Sequence, residues 1–173
     1  MILGLLSDTH GQSQRAANAI ALLKEKGATA FIHCGDLCGE GVLAALAGER
    51  AWFVWGNCDL PDIGMTSYAA GLGLTLPTTV PLRLELDGRR LAVFHGHERE
   101  FGPAYRVLSG DSSAAPAGLD GVDYVFYGHT HLKSDVRCGK LRIINPGALH
   151  RAKPYTVATL NLQTDELNFW TVS

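Results

Sequence analysis

Four cysteines in 173 residues, Cys34, Cys38, Cys58 and Cys138, with no C-x-x-C pair among them, are too sparse and too scattered for a disulfide scaffold or a thiolate zinc site. They are expected to be reduced. No stretch approaches the ~18 consecutive apolar residues of a membrane span, and Asp8 interrupts the apolar start before a signal-peptide core can form. A cytoplasmic protein with no membrane association is the expectation. There is no basic surplus either: 15 Lys and Arg against 17 Asp and Glu give a formal charge of −2, so nucleic acid is expected only as a substrate and not as a stable partner. The chain also lacks a P-loop and a G-x-S-x-G elbow, which removes two common routes to phosphate binding and to a serine nucleophile. No repeat, linker or composition break divides it. At 46% hydrophobic content it reads as a single domain over 1–173 with a sizeable core.

What is present is a series of short apolar runs. Ile2 to Leu6 is followed by Gln12 to Lys26, where Ala16, Ala19, Ile20 and Leu23 recur at helical spacing until Gly27. Thr29 to His33, a helix from about Gly41 to Leu46, and Ala51 to Trp55 repeat the β-α alternation, which predicts parallel pairing through right-handed crossovers. Ile63 to Leu72 reads as a short helix. Leu82 to Leu86 and Arg90 to Phe94 flank Asp87-Gly88, a hairpin signal that opens a second sheet. Pro103 to Leu108 suits one or two helical turns, and Ser109 to Gly121, rich in Ser, Ala, Pro and Gly, reads as an exposed loop. Tyr124 to Tyr127 is a further strand. Asp135 to Cys138 with Leu141 to Ile144, and Thr156 to Leu162 with Leu167 to Val172, pair as two hairpins. The expected fold is α/β, two sheets face to face with helices outside; strand order is left open.

Five of these runs give way to polar residues suited to metals: Asp8 and His10, Asp36, Asn57, His95, and His129 with His131. If the runs were strands of one buried sheet, their carboxyl ends would share an edge, where α/β proteins bind ligands. Asp8 and His10 lie two positions apart, so in an extended segment both project from one face and can grip one ion; His129 and His131 repeat the spacing. Carboxylate, imidazole and amide without a ligating thiolate suit Mn, Fe, Co, Ni or Zn better than calcium or an iron–sulfur cluster. Two divalent ions, manganese foremost, are expected. A carboxylate can bridge a pair of ions ~3.5–4 Å apart, and such a pair clamps the oxygens of in-line phosphoryl displacement. Asp36 is the candidate bridge, and a hydroxide between the ions the expected nucleophile.

The blocks D-x-H, G-D, G-N, H-G-H and G-H-T-H, in this order, resemble the calcineurin-like metallophosphoesterases, and the short chain is similar to their small YfcE-type phosphodiesterase branch. The resemblance runs from Ile2 to about Gly147, where Asn145-Pro146-Gly147 also fits. It implies a four-layer α-β-β-α sandwich of two mixed sheets. It further implies that Asp8, His10, Asp36 and His131 hold one metal and Asp36, Asn57, His95 and His129 the other, and that homo-oligomers are common; Asn57 is in addition expected to touch the phosphate. Many relatives carry His after the ligating Asn, where this chain has Cys58. A neutral thiol is a poor substitute for a protonated imidazole in helping the leaving group.

His97 is the nearest replacement acid on sequence grounds, with a solvated turn as its bland reading. Cys58 and Arg151 are candidate substrate contacts; a spectator thiol and an exposed arginine are the corresponding plain readings. His33 reads as a satisfied core or supporting histidine, His150 stays outside the core claim, and Trp52 and Trp55 are expected to pack the two faces of a sheet. The expected function is hydrolysis of small-molecule or nucleotide phosphodiesters, activated aryl esters far better than alkyl ones. Three alternatives stay open: a phosphomonoesterase such as a nucleotidase or protein phosphatase, a non-catalytic scaffold resembling the retromer subunit of this fold, and a DNA nuclease.

Overall fold

The computed structural model describes residues 1–110 and 118–173. Five strands, β1 (Ile2–Leu6), β2 (Ala30–His33), β3 (Ala51–Phe53), β9 (Tyr155–Asn161) and β10 (Glu166–Val172), form one sheet in the order β10-β9-β1-β2-β3. The second, in the order β4-β5-β6-β8-β7, contains β4 (Leu82–Leu86), β5 (Arg89–Val93), β6 (Tyr124–Phe126), β7 (Ser134–Cys138) and β8 (Leu141–Asn145). β1, β2 and β3 are parallel, as are β5, β6 and β8, while β4, β7, β9 and β10 add antiparallel edges. Both sheets are therefore mixed.

Strand alternation builds the layers. Leu3 and Leu5 of β1 turn inward with Ala30, Ile32, Val93, Phe126, Ile144 and Leu160 to fill the space between the sheets. Leu6, Phe31 and Phe53 turn outward and meet α1 (Ser13–Glu25), α2 (Glu40–Leu46) and α3 (Ile63–Gly71) through Ala16, Leu23, Leu43 and Ala69. On the far side Phe94, Val125 and Ile143 pack under Phe101, Ala104 and Val107 from a 3-10 turn (Arg99–Phe101) and α4 (Gly102–Leu108). The result is the expected α-β-β-α order. Trp52 joins the inner layer and Trp55 the outer one, so the two do pack opposite faces.

The tail hairpins form as expected but part company: β7-β8 edges the second sheet and β9-β10 the first. The loop expected over Ser109–Gly121 lies, for 111–117, outside the described residues. Among the described residues no helix is long and apolar enough to cross a membrane.

Candidate metal centre

The polar residues gather where the carboxyl ends of the parallel strands meet, yet they do so across two sheets and not along one. β1, β2 and β3 deliver Asp8, His10, Asp36 and Asn57 from the first sheet; β5 and β6 deliver His95, His129 and His131 from the second. The loop after β1 is tied to the loop after β2 by Asp8 N–H to the Gly35 carbonyl at 3.0 Å and His10 N–H to the Asp36 carbonyl at 2.9 Å. The Gly128 N–H donates to the His95 carbonyl at 2.8 Å, joining the two loops of the second sheet.

The extended geometry expected for D-x-H and H-x-H is not the one adopted. Asp8, His10, Asp36, His129 and His131 all have positive φ, between 43° and 65°. Their backbones sit in the left-handed region, which Asp, Asn and His enter several-fold more readily than other non-glycine residues. Three of the five delivering loops, those after β1, β2 and β6, thus turn through left-handed residues where a straight continuation of the strand would not. Convergence therefore comes from turns and not from strand alternation.

Donor atoms of Asp8, His10 and His131 lie within 4.8 Å of one another, as do those of Asp8, Asp36 and His95. His131 Nε2 is 3.2 Å from Asp8 Oδ1. Asp36 Oδ2 lies 3.4 Å from His10 Nε2 and 3.3 Å from His95 Nε2, between the two groups. Asn57 Oδ1 is 3.1 Å from His95 Nε2 and 3.0 Å from His129 Nδ1. All seven residues predicted from the sequence thus occupy one site.

Its electrostatics ask for a cation. The Cys34 carbonyl, which can only accept, faces His95 Nδ1 at 2.8 Å, so Nδ1 carries the proton and Nε2 presents its lone pair to Asp36 Oδ2 and Asn57 Oδ1. Three acceptors facing one another need positive charge among them, and without a metal that charge is a proton. Burial acts against a charged His95, but hydrogen bonding to Asp36 and to the Cys34 carbonyl, with the Asp8 and Asp36 charges, raises it above its ordinary value. Burial likewise favours a neutral Asp36, and the His95 and Cys58 hydrogen bonds overcome it, holding the carboxyl well below the usual range. His10 is lowered by burial, with His131 adding to the effect. Its Nε2 is buried with no hydrogen-bond partner among the described residues. An orphaned imidazole nitrogen, two carboxylates and an amide oxygen pressed against imidazoles fit a pair of divalent cations.

Several further residues support the site, and the sequence reading named only Asn145 and His33 among them. Glu98 accepts the N–H groups of His95 at 2.7 Å and Gly96 at 2.6 Å. Buried Asp59 accepts from Gly56 and Cys38 N–H, both at 2.7 Å, and clamps the loop after β3 to the loop after β2. Asn145 donates to the Gly128 carbonyl at 2.8 Å and to Thr130 Oγ1 at 3.1 Å, and so holds the G-H-T-H turn. Fully buried His33 bonds Thr9 Oγ1 at 3.0 Å and accepts the Gly35 N–H at 3.2 Å; burial lowers it to about 3, so it is a neutral strut. The offsets G-N-x-D and H-G-H-E are the only hints of the first two.

The remaining candidates surround the centre. The His97 ring lies 5.4 Å from His95 and 6.2 Å from His129, and its Nδ1 is 3.8 Å from Glu98 Oε2. Cys58 is exposed, its Sγ 3.4 Å from Asn57 Nδ2 and within the 4.8 Å group formed with His10 and Asp36. Partial desolvation and then the Asp36 carboxylate raise the thiol, which keeps its proton. Arg151 lines a cavity with His131, and the His150 ring is 5.1 Å from that of His10.

Residues 1–165 match the model of the calcineurin-like phosphoesterase superfamily domain. The phosphodiesterase YfcE of Escherichia coli K12 is 28% identical over 165 residues, covering 86% of this chain and 79% of the relative. A solved archaeal phosphodiesterase superposes with a TM-score of 0.81 at 21% identity, covering 99% of this chain and all of the other. The fold is shared too by Vps29 of Entamoeba histolytica, with a TM-score of 0.61 at 16% identity over the full length of both chains. With its match spanning nearly its whole length, the chain belongs to the calcineurin-like phosphoesterase superfamily.

Proposed function

We propose that this chain is a single-domain cytoplasmic phosphodiesterase dependent on two divalent ions, manganese foremost, acting on small-molecule or nucleotide diesters. Asp8, His10, Asp36 and His131 would hold one ion and Asp36, Asn57, His95 and His129 the other. The observation that carries this reading is the position of Asp36 Oδ2, 3.4 Å from His10 Nε2 and 3.3 Å from His95 Nε2, where one carboxylate can serve both groups. Four free cysteines suit a reducing compartment.

Ions bound there would neutralise phosphate charge and acidify water towards neutrality for in-line attack. Hydrolysis forms one bond from water oxygen to phosphorus and breaks one to an ester oxygen, which takes up a proton as it leaves. The chain's own residues fix the geometry. The Cys58 N–H holds Asp36 Oδ1 at 2.8 Å, the Cys34 carbonyl sets the His95 tautomer, and Glu98 anchors the His95-Gly96 backbone. Asn57, exposed at the rim, would meet a phosphate oxygen through its amide nitrogen in place of the Cys58 thiol it now faces. His97, its ring 5.4 Å from that of His95 and 6.2 Å from that of His129, is the imidazole we assign to the leaving oxygen.

Metal analysis coupled to a substrate panel tests the proposal. Chelated protein reloaded with manganese should bind two ions and cleave diester analogues in preference to monoesters, while Asp36→Ala should lose paired binding and hydrolysis together. Preference for monoesters would favour a phosphomonoesterase. Absence of bound metal after reloading, or of all ester hydrolysis with metal bound, would favour the scaffold reading, and full activity in Asp36→Ala would refute the bridge.

A further inference from the structure

Two cavities abut the candidate centre at different ends, one with no lysine or arginine in its lining and one with three. One, about 350 Å³, is walled by Val54, Trp55, Pro61, Pro77, Val80 and Val93, and reaches the centre at Gly56 and His97. The second, about 460 Å³, reaches it at His131 and presents Lys133, Arg151 and Lys153, with no carboxylate in its lining. His97 neighbours His95 and His129, whereas His131 neighbours Asp8 and His10, so the donor set lies between the two cavities.

The first cavity is suited to an apolar group. Among its described lining residues the one carboxylate, Glu98, turns both oxygens to the His95 and Gly96 N–H groups, which leaves a mainly apolar wall of Trp55, valines and prolines, interrupted by Thr78 and Thr79. Val80 on its wall is exposed, so the space opens to solvent and is not a packing void. Both volumes fall in the ~300–1,000 Å³ range of small-molecule sites. In the second cavity, none of the described ion pairs engages Arg151, Lys133 or Lys153, and Lys133 is instead held over the Phe169 ring at 5.3 Å. Three cations without a facing acid among the described residues, on a chain whose net charge is −2, make a local anion-attracting surface.

We infer that the centre selects an asymmetric phosphodiester: one arm is flat and apolar and lies along Trp55 and Val80, and the other carries an extra anionic group that meets Lys133, Arg151 and Lys153. This rests on the phosphoesterase reading and adds the substrate's polarity to it. The anionic group is a carboxylate or a phosphate, either of which a lysine and arginine cluster binds by charge-assisted hydrogen bonds.

The test uses 4-nitrophenyl phosphodiesters whose second arm is methyl, carboxylate-terminated or phosphate-terminated, with manganese-loaded protein. Non-hydrolysable phosphonate counterparts are titrated by calorimetry alongside. The anionic arms should lower KM and the phosphonate Kd about tenfold or more relative to methyl, the scale of one charge-assisted hydrogen bond. The better of the two identifies the group. Lys133→Ala/Arg151→Ala/Lys153→Ala should abolish that preference ratio, and Val80→Asp should weaken 4-nitrophenyl against methyl at the other arm. Equal affinity for methyl and anionic arms in the unmodified protein, or variants that shift both arms alike, would overturn the inference. If no ester is cleaved, the phosphoesterase reading fails, while the phosphonate titrations still decide the polarity of the site.

Discussion

The backbone N–H of Cys58 donates to Asp36 Oδ1 at 2.8 Å, and the Cys58 thiol takes no part in that bond. The side chain at 58 can therefore change without releasing the clamp on Asp36. Cys58→His should keep the main-chain clamp on Asp36 and raise the turnover of alkyl diesters by ~10²-fold, the lower end of what a positioned general acid contributes. Aryl esters, whose leaving oxygen needs little help, should change far less. The measurement is the alkyl-to-aryl ratio of kcat in the two proteins; an unchanged ratio would place the acid elsewhere.

Glu98 holds the His95-Gly96 backbone, one oxygen accepting from each N–H. In Glu98→Gln one of those acceptors becomes an NH2 facing an N–H, and the His95 loop loses its second anchor. Metal affinity should fall ~10–100-fold, as for other residues that orient a ligand from behind. Competition against a chromophoric chelator reads this directly.

Gly56 is packed so closely that a Cβ there would overlap both Asp36 Oδ1 and the Asp36 amide nitrogen. Backbone cannot be pushed aside cheaply, so Gly56→Ala should cost ~1–3 kcal/mol of stability and weaken metal binding with it. Gly71, at the end of α3, has open space around its Cβ position and no positive φ. Gly71→Ala should be neutral or stabilising by up to ~1 kcal/mol. Urea unfolding of both variants checks the contrast.

His33 sets a pH dependence. It is buried and lowered to about 3, whereas in the unfolded chain it takes a proton near the ordinary value of about 6.5. Between those values the unfolded state binds more protons than the folded one, so stability rises with pH and is lost as pH falls through the window. His33→Gln removes this titration. Whatever its stability relative to the parent at pH 8, the difference should move in favour of the variant as pH drops from 7 to 4, in chelator to exclude metal effects. A pH-independent difference would contradict a neutral buried His33.

Much of this molecule is legible in its sequence because apolar runs stop abruptly at polar residues. Ile2–Leu6 ahead of Asp8 and Tyr124–Phe126 ahead of His129 announce both the strand and the residue it delivers. The allocation of strands is less legible: β7-β8 and β9-β10 look alike as hairpins, and only their packing partners send one to each sheet. Spacing alone misdescribed the D-x-H turn, since a period-two argument assumes extended backbone and Asp8 and His10 have φ of 53° and 43°. Glu98, Asp59 and Asn145 are invisible to periodicity, because each acts on main-chain groups that every residue possesses.

The left-handed backbone at Asp8, His10, Asp36, His129 and His131 has a consequence for anyone transplanting the centre. The residue alphabet that tolerates such φ values, Asp, Asn, His and Gly, overlaps the alphabet that coordinates hard and borderline metals. The two constraints thus overlap: a substitution to a residue outside that alphabet abandons coordination and incurs backbone strain together. The portable unit is a set of five strand-to-turn junctions. Grafting the seven side chains onto helices, or onto extended loops of another scaffold, would carry over the donors and leave behind the curvature that makes them meet.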